Sequence, residues 1–168
     1  MLAPGNPNQA QPNAQRKRGA QVKRICLLLV LLPTLITAAR WLEDFDALYQ
    51  ALTSGGAVRV VVDYADCEML IDNEPVGTGP VAVGGMPVGA FEYFGREVVG
   101  NDRAYISFGH SQLIAHRDYV LNYVRFRVYE DGEVEITARY LDPRTHEELM
   151  DEAFFTTVDG AAAFYVSD

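Results

Sequence analysis

Residues 119–142, YVLNYVRFRVYEDGEVEITARYLD, decide the fold. Val124, Phe126 and Val128 alternate with Arg125, Arg127 and Tyr129; beyond Asp131-Gly132, Val134, Ile136 and Ala138 alternate with Glu133, Glu135 and Thr137. Alternation with period two marks strands that bury one face and wet the other. A two-residue Asp-Gly turn would set Val128 opposite Glu135 and Arg127 opposite Ile136, which mixes the faces. A three-residue loop, Glu130-Asp131-Gly132, with the glycine in the left-handed region, pairs Val128 with Val134 and Phe126 with Ile136. Arg127 then lies opposite Glu135 on the wet face. A slip of one residue would turn every side chain over, so the apolar match selects the longer loop.

Strand patterns continue on both sides of this hairpin. AYISFGHSQLIA, residues 104–115, carries Ile106, Phe108, His110, Gln112 and Ile114 on one side. AVRVVVDY, residues 57–64, is rich in β-branched residues and reads as a central strand. WLEDFDALYQALTSGG, residues 41–56, places Leu42, Phe45, Leu48, Tyr49 and Leu52 at helical spacing. Gly55-Gly56 ends it, which predicts a helix of about three turns. Residues 72–90 hold five glycines and three prolines, the chemistry of turns and a bulged edge strand. DPRTHEELMDEAF predicts a turn or short helix capped by Asp142 and running to about Asp151. FFTTVDGAAAFYV predicts two strands around Asp159-Gly160. The sum is a mainly β domain over residues 40–168: one N-terminal helix and about seven mostly antiparallel strands, as a sandwich or a partly closed barrel.

The first 39 residues read differently. Arg16, Lys17, Arg18, Lys23 and Arg24 precede ICLLLVLLPTLI, residues 25–36, and then Thr37-Ala38-Ala39. A basic region, a short apolar run and a small-x-small site form a secretory signal pattern, with cleavage expected near Ala39. The apolar run falls short of the roughly 20 residues that span a bilayer. Cleavage takes five of the fourteen bases and no acid, leaving nine arginines against 23 acids, a formal charge of −14. Such a chain repels phosphate backbones and anionic headgroups. Nucleic acid is therefore not an expected partner, and no stable membrane association is expected after cleavage. The expected location is extracellular or periplasmic, and the expected partner is a protein or a small ligand.

Cleavage also removes Cys26 and leaves Cys67 alone. An odd cysteine in an exported chain points to pairing between chains or to a free thiol. Residues 72–90 lack the G-x-x-x-x-G-K-[ST] of a phosphate loop, and HEELM, residues 146–150, breaks the H-E-x-x-H zinc pattern at Met150. His110 and His116 would stand about 20 Å apart on one strand, too far to share a metal. No cofactor is expected. The candidate catalytic set is Asp63, Asp66, Cys67 and His110, a thiolate–histidine pair or a zinc site if the chain brings them together. The simpler reading makes Cys67 a small buried hydrophobe. The candidate binding set is Tyr123, Arg125, Arg127, Tyr129, Arg139 and Tyr140, since tyrosine and arginine together favour contact surfaces.

The order of LYQALTSGGAVRVVVDYADC, VGGMPVGAFEYF, YISFGHSQLI, FRVYEDGEVEITARYLDP and FYV resembles the VirK family, over about residues 44–166. These are small exported proteins named for a bacterial virulence-region gene product. The resemblance implies export, possible host association and a cysteine after the first strand, here Cys67. It brings no enzymatic mechanism. It also implies a second cysteine near the C-terminus, where this chain carries Thr156 and Thr157. The function expected first is an exported, non-catalytic binding protein. A small secreted hydrolase or metal-dependent enzyme using the Asp63–His110 set is the alternative, and a dimer linked through Cys67 is a third.

Overall fold

A computed structural model describes residues 39–71, 74–116 and 118–167. The signal segment expected at 1–39 lies outside them but for Ala39. Two antiparallel sheets face each other. Their strands are β1 (Arg40–Leu42), β2 (Ala57–Asp63), β3 (Glu68–Ile71), β4 (Glu74–Thr78), β5 (Val83–Pro87), β6 (Phe91–Phe94), β7 (Tyr105–His116), β8 (Asp118–Tyr129), β9 (Glu133–Leu141), β10 (Glu148–Thr157) and β11 (Ala162–Ser167), with one helix, α1 (Phe45–Thr53). The small sheet runs β1-β11-β2-β5 and the large one β4-β3-β10-β9-β8-β7-β6. Both sheets keep open edges, so the architecture is a sandwich and not a barrel.

The central hairpin has the register that its apolar pattern selects: Phe126 faces Ile136, Arg127 faces Glu135 and Val128 faces Val134. Gly132 takes φ +87° and donates its N–H to the Tyr129 carbonyl at 2.9 Å. The glycine therefore closes the three-residue loop in a conformation that an L side chain adopts at a cost.

The inner faces meet in one apolar cluster. Val58, Val60 and Val62 of β2 and Ala162, Phe164 and Val166 of β11 face Ile106, Phe108, Phe126, Val128, Val134, Ile136 and Phe154 of the large sheet. Phe108 stacks on Phe126 at 4.9 Å and meets Phe164 edge-on at 6.3 Å across the gap between sheets. α1 adds Phe45, Leu48, Ala51 and Leu52 to this core, and its Tyr49 ring lies 4.8 Å from Tyr93 of β6. Asp44 caps the helix by accepting the Ala47 N–H at 2.8 Å.

Three expectations are corrected. The helix begins at Phe45, because Arg40–Leu42 pair with Val166, Tyr165 and Phe164 as an edge strand. Leu42 is buried from that strand and not from a helical stripe. Of the turn or short helix expected after Asp142, the turn is found, and it ends before Glu148 where β10 begins: the Asp142 carboxylate accepts the N–H of Arg144 and Thr145 at 2.7 and 2.8 Å. The capping chemistry was legible, but the hairpin's long-range pairing overrides a local helix start. Among the described residues eleven strands stand where about seven were expected. The short strands β1, β3, β4, β5 and β6 carry three to five residues each, too few to show a period.

The glycine-rich stretch becomes β4 and β5, which are edges of different sheets. Pro75 lies beside a register shift between Met69 and Leu70, the bulge that an edge proline tolerates. The two strands around Asp159-Gly160 do not pair with each other: β10 belongs to the large sheet and β11 to the small.

Candidate functional site

Cys67 closes the 3₁₀ turn Tyr64–Asp66 that carries the chain from β2 to β3. Its side chain is fully buried in the core cluster, and its sulfur donates weakly to the Asp63 carbonyl at 3.5 Å. Burial pushes the thiol pKa up, and the Asp63 and Asp66 carboxylates push it further; the Thr156 hydroxyl opposes them. These are the conditions of an inert thiol, the reverse of an activated nucleophile. Asp63 spends its carboxylate on the Ala65 N–H at 3.2 Å, the turn role common for an aspartate after a strand.

His110 stands apart, on β7 opposite Val124. The register sets Met69 of β3 level with Phe108 of β7 through Phe154, Ile136 and Phe126, with three strands between. Cys67 and His110 thus differ by four strand spacings across the sheet and about four residues along it. His110 lines two hollows, and Cys67 lines neither of them. Among the described residues, no three His, Cys, Asp or Glu side chains are placed to hold a metal. The candidate catalytic set is therefore not one site. A disulfide to a second chain through Cys67 meets the same obstacle, because the sulfur is sealed inside the sandwich.

This burial has a measurable result. A raised pKa keeps Cys67 protonated through neutral pH, and thiolate appears only as pH rises toward the shifted value. In the native protein, Cys67 should react with a disulfide reagent at pH 8 at least about a hundredfold more slowly than in denaturant, since access requires opening of the core. Equal rates in both conditions would show an accessible thiol.

The candidate binding residues are largely brought together. The pairing of β7, β8 and β9 sets Tyr105 and Tyr129 in one row on the outer face of the large sheet. Ser107, Arg127 and Glu135 form the next row; Gly109, Arg125 and Thr137 the third; Ser111, Tyr123 and Arg139 the fourth. Tyr140 is the exception. It neighbours Arg139 in sequence, so the pleat turns it to the inner face, where its ring lies 5.2 Å from His116. An open groove of about 550 Å3 runs over the outer face of β6, β7 and β8. Its lining includes Phe94, Tyr105, Ser107, Tyr123, Arg125 and Arg127, with Glu92 at the β6 side.

The arginines of this face are unequally partnered. Arg139 holds Asp151 through two bonds of 2.9 Å, and Arg103 holds Asp131 at 2.7 Å and Glu133 at 3.2 Å while lying 4.0 Å over the Tyr129 ring. Arg127 reaches Glu135 at 3.5 Å, and Glu135 also accepts the Tyr129 hydroxyl at 2.8 Å. Arg125 comes no closer than 4.0 Å to the same Glu135, touches the Thr137 hydroxyl at 3.5 Å, and buries its Nε with no acceptor. Two guanidinium groups share one carboxylate, and the better placed is Arg127. Arg125 therefore retains hydrogen-bonding capacity in the middle of the groove. Arg103 and Arg139, by contrast, are occupied in ion pairs at the two flanks.

The family model for VirK protein matches residues 41–146, most of this chain, from β1 to the turn after β9. This chain belongs to the VirK family. The crystal structure of a VirK family protein from Legionella pneumophila has the same fold, with a TM-score of 0.59 at 14% sequence identity. The similarity covers 76% of this chain and 98% of that one. No curated protein matches the sequence. The VirK match spans the groove strands β6, β7 and β8 and the Cys67 turn, and it stops short of β10 and Thr156.

Sequence reasoning missed the β6 and β7 half of the groove: Phe94, Tyr105, Ser107 and Gly109. A signal existed. Tyr105, Ser107, Gly109 and Ser111 alternate with Ile106 and Phe108, so they were the wet face of that strand. What was missing was the partner, because β6 is four residues long and follows a glycine-rich stretch that reads as turns.

Proposed function

We propose that this VirK family member is exported and acts as a non-catalytic binding module whose contact surface is the outer face of β6, β7 and β8. The observation that carries the reading is the groove itself. It gathers Tyr105, Tyr123, Arg125 and Arg127 over about 550 Å3, while the nucleophile candidate is buried elsewhere. Tyrosine offers large contact area at low entropic cost and arginine offers planar, multidentate hydrogen bonds, so the combination favours recognition of a partner. The acid excess of the whole chain supports a partner other than nucleic acid. Export is supported by the basic, apolar and small-residue order of residues 16–39.

The test has two parts. Mass analysis of the protein recovered outside the cytoplasm should give a chain starting near Arg40; recovery of an intact chain only from inside cells would remove the export reading. A photo-crosslinking residue in place of Ser107 should give a discrete adduct in the exported compartment. Combining it with Arg125→Gln and Arg127→Gln should lower the yield at least about tenfold, the loss expected for charge-assisted contacts. An unchanged adduct in the double variant would remove the groove as the contact surface.

A further inference from the structure

β7 is twelve residues long, yet β6 pairs only with its first four, 105–108, whereas β8 pairs with all twelve. Among the described residues, 109–116 is therefore paired with no strand on the side where β6 stops. On such an edge alternate residues direct N–H and C=O outward, a template for one more strand. Edges are commonly blunted by proline, lysine or a bulge. Residues 109–116, GHSQLIAH, contain neither of those residues, and their pairing with β8 proceeds without a register shift. The groove lies at this step, with Ala90, Phe91 and Glu92 at the end of β6, and Gly109 and Ser111 at the open edge.

An incoming strand in line with β6 would send alternate side chains to the outer face, beside Gly109, Ser111 and Leu113. The position beside Gly109 faces Arg125, which the glycine does not screen because it has no side chain. The position beside Leu113 faces an exposed leucine backed by Leu121 and Leu141 in the same row. These two positions are four residues apart.

Resting on the contact surface proposed above, we infer that the open edge of β7 takes up an extended peptide as an added strand. A carboxylate on that peptide is held by Arg125 and Arg127, and an apolar side chain four residues away covers Leu113. Charge complementarity selects this occupant. Among the described residues Arg125 and Arg127 share one carboxylate, Glu135, and Glu92 of β6 lies at the far side of the groove, opposite Ser107. A second copy laid edge to edge would bring GHSQLIAH against the arginines, a segment with no carboxylate.

The probe is a random twelve-residue peptide library displayed on phage, panned on the protein and on its Arg125→Gln/Arg127→Gln variant, with melting curves to verify that both are folded. The wild-type protein should enrich sequences with Asp or Glu four positions from an aliphatic or aromatic residue, and the variant should lose the acidic preference. A synthetic enriched peptide should bind the variant at least about tenfold more weakly, slow amide exchange at 109–115, and lose binding when methylated on alternate backbone nitrogens. Absence of acidic enrichment, equal enrichment on both proteins, or full binding by the methylated peptide overturns the inference. A peptide that perturbs Tyr123 and Arg127 without protecting 109–115 overturns strand addition and leaves the contact surface standing; one that perturbs neither removes both. Protection of 109–115 by self-association without peptide overturns it in favour of a second copy.

Discussion

Thr156→Cys should form a disulfide with Cys67 on oxidation and raise the melting temperature by about 10 °C. The register carries the argument. Phe155 pairs with Glu68 and Phe154 with Met69, so Thr156 stands opposite Cys67 one step on. Directly opposed positions of an antiparallel pair hold their Cα atoms about 4.5–5.5 Å apart, inside the range a disulfide bridges. The two side chains lie on the same inner face, and the Thr156 hydroxyl is close enough to oppose the rise in the Cys67 thiol pKa. The bridge would close a loop of about 90 residues, worth up to roughly 4.6 kcal/mol in the chain-entropy model. Loss of the bond by which Thr156 accepts the Ala161 N–H at 2.9 Å subtracts about 1 kcal/mol from this. Thiol titration and melting with and without reductant check both halves. Thr157→Cys, one residue along and on the exposed outer face, should keep both thiols free. If Thr156→Cys also keeps two titratable thiols after oxidation, the register between β3 and β10 is wrong at this end. The second cysteine implied by the VirK resemblance would fit this position.

Phe164→Ala should cost about 4 kcal/mol, a large part of the 5–15 kcal/mol that holds a domain folded. Phe164 is fully buried on β11, inside the small sheet, and its ring meets Phe108 edge-on across the two layers. Phe108 is itself stacked on Phe126. Truncation leaves a cavity bounded by two sheets, and neither can close on it without dragging its hydrogen-bonded neighbours. Denaturant titration should show the midpoint falling with little change in slope. Tyr165→Ala, the adjacent residue on the outward side, is the control and should cost under about 1 kcal/mol. Similar losses from both would mean that the two sheets do not share one core.

The sequence was most legible where one face is dry and the strand is long. The Phe126–Ile136 register and the Gly132 loop followed from alternation alone, because a slip there would bury charge, and β2 was legible as a strand from its β-branched residues. Short strands were illegible for a physical reason: β1, β3 and β6 have too few residues to express a period, and β1 and β3 pair with β11 and β10, far along the chain. The candidate site divided in the same way. Tyr123, Arg125 and Arg127 were found because they share the parity of a long strand, and Tyr140 was misplaced by one step of the pleat. Cys67 and His110 could be joined on paper because their distance depends on sheet order, which no local pattern encodes.

The crossing of the chain between layers has a consequence for its synthesis. β2 lies between β5 and β11, and β11 lies roughly 100 residues downstream of it. Until residues 162–167 have left the ribosome, Val58, Val60 and Val62 have no lasting cover on one flank, and the layer they belong to cannot close. Contacts of such long sequence separation form slowly. The layer that holds β2 is therefore completed only at the end of synthesis, after every strand of the large sheet has already been made.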